Sequence, residues 1–222
     1  MEKKEKLEML NCLAQKLGVL PQEAVEYFSA KVVESSSVVR ECEVAAGVLP
    51  GMYVYVDGLI SAELITGRQV KAVVGYVEGK TVYGICLKAK ELPWSSDCLE
   101  VKAFRDMTDG KKATRKILAA AKRQRKNAEA AQWCYDYAED GVTQGEAFLL
   151  SKAELEKLYV NKEAINKSLR ILNATELRGW TWSSTEDYDN DAWIFLMDRG
   201  YRTTNPKNAN YPYVRPVIAI PL

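Results

Sequence analysis

The side chains that could do chemistry are restricted in this chain, because its 222 residues include no histidine. The sequence therefore excludes His-based acid–base catalysis, Ser-His-Asp and Cys-His nucleophiles, and His-ligated zinc or haem. The five cysteines are widely spread and form no C-x-x-C pair; they are Cys12, Cys42, Cys86, Cys98 and Cys134. We interpret them as reduced thiols, most of them buried as small apolar residues, and predict a protein that is not an enzyme.

A run of oxygen-bearing side chains near the C-terminus is the one candidate for metal binding. Its members are Glu186, Asp187, Asp189, Asn190 and Asp191. Carboxylates and amide oxygens suit Ca²⁺, but a solvated acidic loop has the same composition. A second acidic pair, Glu154 and Glu156, is expected on a helix surface, in contact with neighbouring lysines or water. The sequence predicts no cofactor and no metal ion.

Charge and hydropathy limit the classes of partner. The chain has 31 Lys and Arg against 30 Asp and Glu, a net charge of +1, so no overall electrostatic attraction to nucleic acid or to an anionic membrane is expected. A basic cluster between Lys111 and Lys126 is interpreted as a solvated helix face. No apolar stretch is long enough for a transmembrane helix, and no signal peptide is recognised. We expect cytoplasmic synthesis, with the product virion-associated or exported without a leader.

The hydrophobic periodicity divides the chain into three parts. Residues 1–31 have helical spacing and predict a short helical segment for docking or assembly. Residues 32–47 predict a connecting β segment. Residues 48–222 mix strand and helix patterns and predict one α+β domain.

Local signals within 48–222 predict several elements. Asp57-Gly58 and Glu78-Gly79 indicate tight turns between strands. Lys111 to about Glu139 predicts one long helix. Ser151 followed by Glu154 is a capping box that predicts the start of another.

The C-terminal fifty residues alternate between aromatic and polar types. Trp193, Phe195 and Met197 alternate with Ile194 and Leu196, so the two sets are expected on opposite faces of a strand. The heavier first set is expected in the core. The second set then lies on the same face as Asp198, either as an exposed contact surface or under a second covering layer.

Two features are expected to follow this strand. A polar, turn-rich excursion runs over 201–210, after a turn at 198–200. The last segment, Tyr211 to Ile220, predicts a buried strand. Its prolines, Pro212 and Pro216, favour limited pairing or an edge position.

The residues of this region resemble those of a known family. Trp182-Ser-Ser-Thr-Glu186, Ala192-Trp193, Gly200, Lys207 and Tyr213-Val-Arg-Pro-Val217 are similar to the C-terminal signature of the Fibrobacter succinogenes major paralogous domain, a family that includes the C-terminal domain of a collagen-like adhesin. Ala131-Gln-Trp-Cys134, Phe148 to Tyr159, and Asn161 with Ile165-Asn166 continue the resemblance. Leu150 stands where the family has proline.

The resemblance implies a C-type-lectin-like fold of the formylglycine-generating-enzyme subtype, with a mainly antiparallel sheet and two helices, here preceded by the short N-terminal helical segment. It implies an adhesin-like or receptor-binding role. It also implies similarity to the variable proteins of diversity-generating retroelements in phages and gut bacteria. A thiol enzyme of the same fold subtype stays an alternative, although Cys86, Cys98 and Cys134 match no catalytic motif.

The predicted binding surface combines large aromatic side chains with groups that form adaptable hydrogen bonds, as in an antibody paratope. Its residues are Trp180, Asp187, Tyr188, Asp189, Asn190, Asp191, Ile194, Leu196, Asp198, Arg199, Tyr201, Arg202, Thr203 and Asn205. The expected partner is a protein or glycan on a cell surface, with homo-oligomerisation through the N-terminal helices. The alternative is a structural subunit of a virion or surface assembly, in which the polar C-terminal loops fill an interface.

Overall fold

The computed structural model describes residues 47–101 and 108–222. The predicted helical segment 1–31, and the connecting segment 32–47 except for Gly47, lie outside the described residues. Within the described ranges the chain is α+β, with two sheets and four helices. None of these helices is both long and apolar enough to cross a membrane.

The first sheet has six strands, and each neighbouring pair is antiparallel. In spatial order its strands are β2 (Ile60–Ser61), β1 (Tyr53–Tyr55), β3 (Val70–Glu78), β4 (Thr81–Cys86), β11 (Pro216–Pro221) and β6 (Ala147–Leu149). The predicted turns at Asp57-Gly58 and Glu78-Gly79 are confirmed, since they join β1 to β2 and β3 to β4. Gly79 has a φ of 57°, which a residue without a Cβ adopts at no steric cost.

The second sheet has five strands. In spatial order they are β5 (Lys90–Glu91), β10 (Tyr213–Val214), β7 (Trp180–Tyr188), β8 (Asp191–Leu196) and β9 (Tyr201–Pro206). Only the β10–β7 pair is parallel in this sheet. Strand β9 is an edge, and the segment expected to be a polar excursion therefore begins as a strand paired along its length with β8.

Four helices occur where the sequence predicts two. They are α1 (Gly110–Gln124), α2 (Glu129–Asp136), α3 (Lys152–Val160) and α4 (Lys162–Ile171). The predicted Lys111–Glu139 helix is interrupted because Arg125 adopts a left-handed conformation with a φ of 56°. Asn161 ends α3 and also precedes α4, with a backbone conformation outside the helical region. Apolar periodicity continues through both interruptions, which is why it does not reveal them.

Acidic side chains cap the starts of α1 and α3, through Asp109 and Glu154. The Ser151–Glu154 capping box is confirmed. Glu154 is nevertheless buried, so its expected place on a helix surface is wrong. Its Oε2 atom accepts hydrogen bonds from the backbone N–H groups of Ser151 at 2.7 Å and Gly110 at 3.0 Å. One carboxylate thus joins the starts of α1 and α3.

Strand β11 corrects another expectation. It lies between β4 and β6, not at an edge. Pairing with β4 begins at Val217, one residue after Pro216, so the missing N–H of the proline falls before that ladder starts.

Apolar clusters fill the space around both sheets. One contains Ile85, Leu158 and Val217, together with Phe195 and Met197 from the second sheet. Phe195 and Met197 are therefore core residues as predicted.

The interpretation of the cysteines holds for Cys86 and Cys134, which are fully buried, whereas Cys98 is partly exposed and Cys12 and Cys42 lie outside the described residues. Desolvation raises the pKa of both buried thiols.

Candidate binding surface

Three adjacent strands carry most of the residues that the sequence selects. The register places Trp180 of β7 opposite Leu196 of β8, and Leu196 opposite Tyr201 of β9. The rings of Trp180 and Tyr201 meet edge to face, with centroids 6.1 Å apart. Because strand side chains alternate between faces, Thr203 and Asn205 lie on the same face as Tyr201.

Tyr211 extends this row from the following loop. Its hydroxyl donates a hydrogen bond to Oδ1 of Asn205 at 2.9 Å. Tyr201 is 59% exposed and Tyr211 is 49% exposed. We call this set the aromatic strip; its residues are Trp180, Leu196, Tyr201, Thr203, Asn205 and Tyr211.

Buried side chains fix the chain at the far end of β9. Lys207, directly after the strand, is fully buried with Glu186 of β7, and its Nζ atom lies 2.5 Å from Oε1 of Glu186. The same Nζ donates to the carbonyl oxygens of Leu99 and Asp189, each at 2.7 Å. All three ammonium donors therefore have acceptors. The end of β9 is tied to β7 and to the segment that precedes α1.

Glu186, one of the oxygen donors in the acidic run that is a candidate for calcium binding, is instead engaged by Lys207. Its carboxylate is buried against Lys207 and also accepts a hydrogen bond from the backbone N–H of Val101 at 2.9 Å. Within 47–101 and 108–222, no group of three or more acidic, Cys or His side chains is arranged to hold a metal ion.

The segment between β5 and residue 101 covers one face of the second sheet. Trp94 donates through Nε1 to the carbonyl oxygen of Ser183, and Trp182 donates through Nε1 to that of Leu92, both at 2.9 Å. Ile194 is packed beneath this layer and is only 2% exposed. The prediction that Ile194 is an exposed contact residue is therefore wrong, and the covered-face alternative applies to it. Leu196 lies beyond the layer and is half-buried.

Trp193 also differs from its predicted place in the core. It is only half-buried, and the ammonium of Lys152 lies 4.2 Å from its ring centroid. This cation–π contact joins α3 to β8 on the face opposite the aromatic strip.

The remaining predicted residues form other groups. The hairpin tip between β7 and β8 holds Asp187, Tyr188, Asp189, Asn190 and Asp191, and Tyr188 there is 64% exposed. Asp191 and Leu196 are five strand steps apart, which separates this tip from the Tyr201 end of the strip by about 17 Å. The tip adjoins the other end of the strip, because Asp191 pairs with Pro206 and Ala192 pairs with Asn205.

The turn from β8 to β9 holds Asp198 and Arg199, both exposed. Oδ2 of Asp198 accepts a hydrogen bond from the backbone N–H of Gly179 at 2.8 Å, which ties this turn to the start of β7. Arg202 points to the opposite face from the strip, where it pairs with Glu156 of α3.

Comparison with known proteins finds a structure of similar fold but does not assign the chain to a family. No protein-family model matches the chain, and no curated protein is significantly similar to it in sequence. The crystal structure of a fimbrial protein from Bacteroides ovatus is similar in fold, with a TM-score of 0.62 at 15% sequence identity. The match covers 78% of this chain and 49% of the fimbrial protein, so this chain spans about half the length of its structural neighbour.

Proposed function

We propose that this chain is a non-enzymatic ligand-binding protein of the adhesin type, which displays the aromatic strip on a C-type-lectin-like scaffold. One observation carries the proposal. The exposed ring of Tyr201 and the half-buried Thr203 and Asn205 lie in register on edge strand β9, and the fully buried Glu186–Lys207 pair fixes the end of that strand.

The side chains of the strip suit contact with a protein or a glycan. Tyrosine offers a large, partly apolar area and loses little rotamer entropy on binding. Trp180 and Leu196 add half-buried apolar area next to Tyr201.

The scaffold supports the same function through its rigidity. Glu186 and Lys207 fix the end of β9, and Trp94 and Trp182 bridge strand β7 to the covering segment. Exposed residues on such a frame can change with little effect on stability. This is consistent with the resemblance to adhesins and to the variable proteins of diversity-generating retroelements.

The fimbrial neighbour supports a surface location in general terms, since fimbriae are surface structures. We propose a cell-surface protein or glycan as the partner, with residues 1–31 mediating homo-oligomerisation. The retroelement hypothesis has a genomic test: a neighbouring reverse transcriptase gene, and a repeat that differs from the coding region of 180–217 at adenines. Absence of both from the genome would contradict it.

The binding proposal is tested with the full chain on an array of bacterial and host cell-surface glycans and on intact cells. The wild type is expected to bind at least one of these probes. The double variant Tyr201→Ala/Tyr211→Ala is expected to lose that binding, while its melting temperature stays within a few degrees because both rings are about half exposed.

Tyr188→Ala is the matched control, since Tyr188 is equally exposed but lies at the hairpin tip. It is expected to retain binding. Loss of binding in Tyr188→Ala with retention in the double variant would move the contact region to the tip and overturn the strip. Absence of binding by a wild-type chain that forms large homo-oligomers would favour the structural-subunit alternative.

A further inference from the structure

A second surface, remote in sequence from the aromatic strip, has the chemistry of an anion-binding groove. An open groove of about 910 Å³ runs between α1 and α2. Arg115, Lys122, Arg125 and Lys126 all line it, and Tyr135 closes one side. None of its lining residues belongs to the strip.

Helical spacing explains how the cations come together. Arg115 and Lys122 stand at positions i and i+7, which share one face of an α-helix and lie about 10 Å apart along α1. Arg125 and Lys126 directly follow the helix and line the same groove. Among the described residues, no ion pair neutralises Arg115, Lys122 or Arg125. The positive charge therefore faces open solvent.

The acidic residue that lines the groove offsets only part of this charge. Glu129 carries one negative charge against the four cations, and its carboxylate is held in place by hydrogen bonds from the backbone N–H and the hydroxyl of Ser96. Glu129 also lies in the first turn of α2, where it faces the partial positive charge of the helix start. The lining of the groove therefore keeps a net positive charge.

The backbone at Arg125 is a second, independent sign of function. Its φ of 56° is a left-handed conformation that glycine adopts readily and that costs other residues about 1–2 kcal/mol. Glycine is the usual residue at this position after a helix. Strained backbone clusters at functional sites, and here the strained residue supplies one of the four cations of the groove. The helix dipole accounts for cations in the last turn, but not for Arg115 two turns earlier.

We propose that this groove binds a polyanionic glycan, with sulfate or carboxylate groups held by the four cations. The non-ionic lining favours a glycan over a nucleic acid. Asn127 and Gln132 offer amide groups for sugar hydroxyls, and Tyr135 offers one ring face for a sugar. Nucleic-acid grooves instead interleave several aromatic rings with their cations, so that successive bases stack.

Heparin, a sulfated polysaccharide, is the probe for this proposal. Binding to the full chain is measured by calorimetry at several salt concentrations, with neutral dextran and a single-stranded oligonucleotide of similar charge as comparison ligands. Heparin is expected to bind, and affinity is expected to fall as salt rises because counterions are released. Dextran is expected not to bind.

The groove variant is Lys122→Gln/Arg125→Gly, and its control is Lys112→Gln/Arg123→Gln, which removes the same charge from positions of α1 outside the groove lining. The groove variant is expected to lose about tenfold in heparin affinity or more, since two direct charge contacts disappear, while the control loses threefold at most. Arg125→Gly also relieves the strained backbone, so loss of binding cannot result from unfolding if the melting temperature is unchanged or higher.

Three outcomes would overturn the proposal. They are equal losses in the groove and control variants, no heparin binding by the wild type, and an oligonucleotide affinity equal to or above that for heparin. The result is independent of the proposed function of the strip, because Tyr201→Ala/Tyr211→Ala is expected to leave heparin binding unchanged.

Discussion

Strands β9 and β11 have the same length but opposite environments. Each has six residues and contains proline at one or both ends. β11 pairs with a strand on each side and is buried over its first half, whereas β9 pairs only with β8 and has no fully buried residue. Position in the sheet, rather than length or the presence of proline, therefore decides which strand becomes part of the core and which can present side chains to a partner.

The two strands are also held in place by different interactions. β11 is held by the ladders of two neighbours and by apolar packing of Val217 and Ile218. β9 has one ladder, and its end is fixed by the buried Lys207. Variants that remove one kind of support at a time should therefore affect the two strands differently.

The largest effect is expected at the buried ion pair. Lys207→Met leaves the Glu186 carboxylate buried without its cation, and should lower the free energy of unfolding by about 3–5 kcal/mol. The measurement is urea denaturation of the full chain. Lys157→Met, which removes an exposed ion pair with Glu78, is the control and should cost about 1 kcal/mol or less. Similar losses in both variants would show that Lys207 does not hold the end of β9.

The next effect is expected in the core strand. Ile218→Ala removes a fully buried side chain from β11 and should cost about 2–5 kcal/mol, because the cavity closes only in part. Thr203→Ala, at the middle of β9, should cost less than about 1 kcal/mol. Thermal and urea unfolding of the two variants provide the comparison. A loss from Thr203→Ala as large as that from Ile218→Ala would contradict the assignment of β9 to the surface.

A smaller effect is expected at the turn that leads into β9. Asp198→Ala removes the hydrogen bond from the Gly179 backbone and should cost about 1 kcal/mol. Because this bond ties the turn to β7, binding by the strip should weaken as well. Asp198→Asn keeps an acceptor at the same place and should restore most of both properties. Failure of Asn to restore them would mean that the charge, not the hydrogen bond, is what matters.

The smallest effect concerns two buried carboxylates that differ in their partners. Glu186 is paired with the Lys207 ammonium, whereas Glu154 accepts hydrogen bonds from the neutral backbone N–H groups of Ser151 and Gly110. Desolvation raises the pKa of Glu154, and those hydrogen bonds lower it only in part. Its ionised form is therefore disfavoured in the folded state, and the stability linked to its protonation is lost as the pH rises from about 4.3 through the raised pKa.

Glu154→Gln removes this titration and keeps an oxygen acceptor for both backbone groups. Relative to wild type, the variant is expected to be more stable at pH 7 than at pH 4. Its free energy of unfolding minus that of wild type should therefore be larger at pH 7. Urea denaturation at the two pH values measures the difference. A difference that does not change with pH would refute the assigned pKa direction.

Sequence reasoning succeeds where neighbouring residues decide the outcome. The capping box at Ser151 and the turns at Gly58, Gly79 and Gly200 depend on a few adjacent residues, and each is found where it is predicted. It also identifies strands β7 to β9 as the part that carries aromatic and polar surface residues. It fails at Ile194 and Glu186, whose surroundings come from distant parts of the chain. Both contact the segment that ends at Val101, 85 to 100 positions earlier, and Glu186 also pairs with Lys207, 21 positions later.

The sequence by itself determined the absence of histidine chemistry, the α+β class, and the period-two pattern that separates the faces of each strand. Tertiary structure alone decided which of those faces is covered. The segment from Leu92 to Leu99 and the ammonium of Lys207 close over one part of the second sheet and leave Tyr201 and Tyr211 outside. The physical reason is that burial depends on which distant segment packs on a face, and alternation along one strand contains no information about that segment.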